Sequence, residues 1–190
     1  MKLPIVAYGH PVLRKVGENI ETNYPKLKEL IANMFETMYA ANGVGLAAPQ
    51  IGLAINLFIV DCNPFTEDEP ALKGFKKVFI NPIIEHETGE KWDFNEGCLS
   101  IPTIREDVSR HPKIEITYYN ENWELQHEFY EGLAARVIQH EYDHILGKLF
   151  TDKINPLRKT LIRGKLIDIT NGLVKADYKM KFVKGKGKNR

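Results

Sequence analysis

The sequence predicts an α+β protein in which mostly antiparallel sheets pack around a central helix carrying His-Glu-x-x-His, with one helix N-terminal to it and one C-terminal. Three observations lead there. Strand-like segments crowd the middle of the chain instead of alternating with helices. A helical hydrophobic period precedes them, and a second one follows them with the His-Glu-x-x-His pattern embedded in it.

In chain order, Leu27, Leu30, Ile31, Met34, Phe35 and Met38 recur at helical spacing, with Pro25 in first-turn position and Gly43 beyond the end. This predicts a core-packing helix over Pro25–Ala41, whose methionines fill the core instead of serving as thioether ligands. Leu53–Val60, Val78–Ile84, Ile114–Tyr119 and Glu124–Tyr130 are rich in β-branched and aromatic residues and are read as strands. Between the first two, Asn63–Lys77 holds Pro64, Pro70, Gly74 and acidic residues followed by lysines, the composition of a solvated loop. Gly132–Leu146 is the next helix, with Leu133, Val137, His140, Glu141 and His144 on one stripe. Its polar members therefore continue an apolar face, where a metal would satisfy them. After Pro156, Leu157, Leu161, Ile162, Leu166 and Ile169 predict a third, amphipathic helix. Residues 1–183 are read as a single catalytic domain and 184–190, with Lys184, Lys186, Lys188 and Arg190, as a basic disordered tail.

The 190 residues are 43% hydrophobic and 27% charged, enough apolar material for one core. A net charge of +1 gives no overall electrostatic reason to expect nucleic acid, and no direct DNA binding is expected. Cys62 and Cys98 alone make no disulfide framework and suit a reducing compartment. The N-terminal apolar run is too short for a signal peptide, and no stretch approaches the ~20 apolar residues of a membrane span. A cytoplasmic location without a membrane partner is expected.

On a helix, positions i and i+4 aim two imidazoles at one ion with a carboxylate beside them, the chemistry of a metal-activated water. His140, Glu141 and His144 supply that pattern, and the class of metallohydrolase then depends on the third ligand. Metzincin spacing continues through Gly147 but meets Phe150 where a third His should stand, and no Glu or His follows His144. Asp152, Asp168 and Asp177 are the downstream candidates left. Upstream, Cys98 in Glu96-Gly97-Cys98-Leu99-Ser100 is the better one, because a turn with Gly before Cys exposes a thiolate. One Cys and two His also leave a position open for water. Cys62, at a strand end, is read as inert. Gly43–Gly52 lacks the Gly-Lys-Ser/Thr of a phosphate loop, and Gln50 among its small residues suits donation to an oxyanion in a water-excluded cleft.

Gly43-Val-Gly-Leu-Ala-Ala-Pro-Gln-Ile-Gly52, Glu96-Gly-Cys-Leu-Ser100 and Gln139-His-Glu-Tyr-Asp-His144 resemble the three signature motifs of the peptide deformylase family, in that family's order. Further similarity lies at Pro11-Val12-Leu13-Arg14 and Asn81-Pro82. The resemblance implies removal of the N-formyl group from the N-terminal formylmethionine of newly synthesised polypeptides, releasing formate. It implies one divalent metal on Cys98, His140 and His144, ferrous iron in the cell, with zinc, nickel or cobalt open in purified protein. Glu141 is expected to move the proton, and the Gln50 amide with the Leu99 N–H to meet the oxyanion. Gly43, Val44, Gly45, Glu96, Leu133 and Val137 are expected at the substrate, the glycines through main-chain hydrogen bonds and Val44, Leu133 and Val137 as an apolar pocket. Glu96 is also expected among charge pairs behind the site, with Arg110, Arg136 and Asp143. Nascent formylated polypeptides are the expected partners, with ribosome contact through the C-terminal region. Two other readings stay open: a metallopeptidase cutting internal peptide bonds, with an Asp after His144 as ligand, and a non-catalytic, ribosome-docking metal module.

Overall fold

The structure, a computed structural model, describes residues 1–183; the basic tail expected at 184–190 lies outside the described residues. Its elements run β1 (Ile5–Val6), α1 (Leu27–Ala40), β2 (Gly45–Ala47), β3 (Leu57–Asp61), β4 (Lys76–Thr88), β5 (Trp92–Cys98), β6 (Ile101–Arg110), β7 (Lys113–Tyr119), β8 (Leu125–Glu131), α2 (Gly132–Ile145), α3 (Pro156–Thr170) and β9 (Met180–Lys181). The main sheet, ordered β2-β3-β4-β7-β8, is antiparallel throughout. β5 and β6 form a separate antiparallel hairpin, and β1 pairs in parallel with β9.

β3 shows why the main sheet sits in the middle. All its residues are buried, and successive side chains leave opposite faces. Phe58 and Val60 cluster with Leu133, Ala134, Val137 and Ile138 of α2, whereas Leu57 and Ile59 cluster with Ile31, Met34 and Met38 of α1. Met34 and Met38 are wholly inaccessible, as core filler should be. Eleven of the 14 residues of α2 are buried, so this helix is enclosed nearly all round and its polar residues must find partners inside the protein.

Several boundaries and environments differ from expectation. Pro25 stands ahead of α1, with Lys26 in the left-handed region as its N-cap. The predicted strand at Leu53 begins only at Leu57, because Leu53 to Asn56 spend backbone bonds on one another and on Glu18, Ala48 and Asn81. The 63–77 segment is no simple solvated loop. It contains two single 3₁₀ turns, Leu72 is buried, and the Glu69 carboxylate accepts the Leu133 N–H at 3.1 Å, satisfying one of the free amides at the start of α2. On α3, Ile162, Leu166 and Ile169 are buried, but Leu157 and Leu161 fall on the neighbouring face and are exposed.

The β5–β6 hairpin has no counterpart among the predicted strands. In β6 the inward positions are Ile104, Glu106, Val108 and Arg110, so two charged residues interrupt the apolar alternation by which a strand is recognised. Both are buried with charged partners.

Candidate metal centre and cleft

α2 presents His140, Glu141 and His144 toward the end of β5, where Cys98 is found. Cys98 is not in a turn, as the sequence suggested. It is the last residue of the strand, placed by a register shift after Gly97, and the two-residue turn Leu99–Ser100 follows it. Cys98 Sγ lies 3.2 Å from His144 Nε2, and single ligand atoms of Cys98, His140 and His144 all lie within 4.8 Å of one another. An ion with nitrogen ligands at ~2.0 Å and sulfur at ~2.3 Å in tetrahedral array separates its ligands by about 3.3–3.6 Å, so the cluster fits. A thiolate with two imidazoles suits zinc, iron, cobalt or nickel. Among the described residues no other such group occurs. Asp152 is turned instead to Arg14 and to the Leu149 N–H, and Asp168 is exposed on α3.

His140 is oriented from behind. Its Nδ1 lies 2.9 Å from Glu96 Oε2, which leaves Nε2 as the nitrogen free to coordinate. Burial alone would lower the His140 pKa, but hydrogen bonding to Cys98 and Glu96 raises it well above the ordinary value. Burial lowers that of His144, aided by the neighbouring charges of His140 and Arg110. The His144 Nδ1 atom is buried without a partner.

Glu96 anchors the charges around the site. Arg110 grips its carboxylate with Nε at 2.7 Å and Nη2 at 3.0 Å and reaches Asp143 with Nη1 at 2.6 Å. Arg136 adds a contact at 3.0 Å, donates to the Val108 and Trp92 carbonyls and stacks on the Trp92 ring. Burial would raise the Glu96 pKa, yet His140 and Arg110 hold it far below the usual carboxylate range. The four expected charge partners are thus assembled, buried rather than at the surface.

Glu141 is treated differently by its surroundings. Its Oε2 is buried without a partner, and burial pushes the carboxyl up to about 7 against the pull of His140 and Arg110. The carboxyl lies against Gly45, where an added Cβ would stand 2.7 Å from its carbon. Gln50 Oε1 accepts the Ala47 N–H at 2.8 Å, which turns Nε2 toward Cys98 Sγ and Ser100 Oγ, both at 3.4 Å. The Leu99 N–H has no acceptor among the described residues.

These groups border a cleft of about 620 Å³. Of the residues expected at the substrate, Gly43, Val44, Gly45, Glu96 and Val137 line it, as do Gln50, Cys98, Leu99, His140 and Glu141. Leu133 does not: it is buried in the core cluster with Phe58 and Val60. The Glu96 carboxylate is engaged by Arg110, Arg136 and His140. The sequence reading missed Phe65, Phe94, Ile104 and the segment Lys175 to Tyr178 on the cleft wall. The hydrophobes are ordinary core types, and Tyr178 meets Leu99 across 79 positions of sequence, where no spacing rule reaches.

The model of the polypeptide deformylase family matches residues 2–160. A peptide deformylase of Flavobacterium johnsoniae is 59% identical and one of Christiangramia forsetii 57% identical, each alignment covering 98% of both chains. A crystal structure of a peptide deformylase from Legionella pneumophila superposes with a TM-score of 0.77 at 36% identity, over 88% of this chain and 95% of that one. A peptide deformylase from Plasmodium falciparum superposes with a TM-score of 0.78 at 33% identity, over 87% of this chain and 94% of that one.

Proposed function

The chain belongs to the polypeptide deformylase family, and from that premise we infer how its own residues divide the work of removing the N-formyl group from nascent polypeptides. The products are formate and a free α-amine. The reading is carried by the convergence of Cys98, His140 and His144 on one point, with the Glu141 carboxyl and the Gln50 amide beside it. Proteins of this family depend on a metal, and the cluster is a possible metal site. We assign Cys98, His140 and His144 as its ligands and ferrous iron as the ion in the cell. When bound, a divalent ion there acidifies the attacking water and polarises the formyl oxygen.

Glu141 takes a proton from that water as its oxygen bonds to the formyl carbon, then gives it to the amine nitrogen as the carbon–nitrogen bond breaks. A carboxyl that ionises near neutrality can do both. The Gln50 Nε2 and Leu99 N–H groups donate to the oxyanion; losing one such donor costs about 3 kcal/mol of transition-state stabilisation. The Ala47 N–H holds the Gln50 Oε1 before substrate arrives, so Nε2 has only to exchange a long 3.4 Å contact with Cys98 or Ser100 for the oxyanion. We place the methionine side chain against Val44 and Val137 and leave main-chain pairing to the Gly43–Gly45 segment. Glu96 is assigned to His140 and not to substrate, and Leu133 to the core behind Val137.

Residues 1–183 are proposed as one catalytic domain. No helix among the described residues is long and apolar enough to cross a membrane, and a cytoplasmic site of action is proposed. Ribosome contact through the C-terminal region is proposed on charge alone, from Lys184, Lys186, Lys188 and Arg190 in the sequence. The test of the main reading is formate release from formyl-Met-Ala by protein purified without oxygen and assayed for metal. Absence of formate with iron, zinc, nickel and cobalt alike would sink it.

A further inference from the structure

We propose that Tyr178 is a positioning residue for the Leu99 N–H, so that a strap C-terminal to the family-matched region holds an oxyanion donor in place. This rests on the assignment of that N–H made above. The Leu99–Ser100 turn carries two carbonyls, and each is held from outside the hairpin. The Tyr178 hydroxyl donates to the Leu99 carbonyl at 2.8 Å, and the Tyr8 N–H donates to the Ser100 carbonyl at 2.8 Å. These two donors are coupled through the β1–β9 pair. Tyr8 lies two residues after β1, Tyr178 two residues before β9, and the Ile5 and Ala7 amides donate to the Lys179 and Lys181 carbonyls at 2.8 and 2.9 Å. The turn is thereby clamped on its carbonyl side, while at the cleft the Leu99 N–H has no partner among the described residues.

The family match ends at residue 160, and Tyr178 lies beyond it. Tyr178 also forms part of the cleft wall and packs with the α1 core cluster, so its ring has an anchor independent of the hydroxyl. Removing the hydroxyl alone should therefore loosen the turn without dislodging the strap. Fixing a donor in advance matters chiefly in the transition state, so the effect should fall on kcat and not on KM.

The experiment uses the metal-loaded full chain, formyl-Met-Ala and three variants: Tyr178→Phe, an amide-to-ester replacement that deletes the Leu99 N–H, and the two combined. Loss of one buttressing hydrogen bond predicts that Tyr178→Phe lowers kcat by about fivefold, with KM within about twofold, the thermal midpoint down by no more than a few degrees and metal content unchanged. In the ester background Tyr178→Phe should cause no further fall, because it acts through the deleted group. An ester variant with undiminished kcat overturns the assignment of Leu99 and the inference with it. A slowed ester variant together with a fully active Tyr178→Phe, or equal losses from Tyr178→Phe in both backgrounds, overturns the positioning role alone.

Discussion

Glu96 Oε2 and His140 Nδ1 stand 2.9 Å apart in the protein interior, and the same carboxylate is held by Arg110 and Arg136. One buried acid thus fixes the tautomer of a candidate ligand and, together with Asp143 on the far side of Arg110, balances two buried guanidinium groups.

Glu96→Gln keeps the shape and removes the charge, leaving Arg110 and Arg136 short of a counter-ion. Breaking a buried pair from one side costs about 3–5 kcal/mol, and loss of a carboxylate behind a ligating His weakens metal binding by about 10–100-fold. A thermal midpoint lower by about 10 °C is expected, together with reduced metal per chain after dialysis. Unchanged values for both would show that Glu96 supports neither the fold nor His140.

Gln50→Ala removes an oxyanion donor that touches no other part of the proposed proton path. A drop in kcat of about 100–1,000-fold with metal retained is expected. Glu141→Ala should abolish turnover, and near-normal activity in that variant would remove Glu141 as the base.

The sequence made these residues legible because each sits in a pattern with its own chemistry: His140, Glu141 and His144 through helical spacing, Cys98 through the lack of a downstream ligand, Gln50 through its place among small residues. α1, α2 and four strands of the main sheet were legible for the same reason, since their apolar periods are long. The β5–β6 hairpin was not, because Glu106 and Arg110 occupy inward positions and mimic a surface pattern. The role of Glu96 was half visible as a charge pair. Its bond to His140 depends on how β5 meets α2, which no local pattern encodes. Tyr178 and Glu69 act on distant partners and were invisible for that reason.

Gly45 leaves room for the Glu141 carboxyl, the proposed base. A methyl group there would overlap Glu141 Oε1, and a buried side chain with little freedom has to yield. Gly45→Ala is expected to cut kcat by at least about tenfold, with metal content preserved and the thermal midpoint changed by only a few degrees. Full activity would mean that the Glu141 carboxyl has another productive position.

Arg14 and Asp152 tie the 3₁₀ turn Pro11–Arg14 to the segment after α2, at 2.5 and 3.1 Å, while Asp152 also accepts the Leu149 N–H. Burial would raise the Asp152 pKa, but the Arg14 hydrogen bond and that amide hold it below its ordinary 3.8. A carboxyl depressed in the folded state binds protons less readily there than in the unfolded chain. Its stabilisation is therefore present above pH ~4 and is lost as pH falls through the folded value. Because the pair is partly exposed, about 1 kcal/mol or less is at stake. The urea midpoints of the parent and Asp152→Asn should differ at pH 7, and the gap should shrink steadily as pH falls below about 4; a gap independent of pH would point to packing instead of charge.

Cys98→Ala separates the deformylase site from a metallopeptidase site. Two imidazoles alone leave the ion with half a tetrahedral shell, and among the described residues no aspartate downstream of His144 stands where it could replace the thiolate: Asp152 is committed to Arg14, Asp168 is exposed on α3, and Asp177 reaches only the cleft wall outside the ligand cluster. Metal content should fall below about one tenth per chain after dialysis, and formate release should fall with it. Stability of the metal-free form should change little, since Cys98 is only half-buried and the charges behind the site are already paired. If Cys98→Ala retains both metal and hydrolysis, the third ligand is not this cysteine, and an aspartate downstream of His144 has to be brought to the ion by a rearrangement that metal-edge spectroscopy of the variant would detect as an all-nitrogen and oxygen shell.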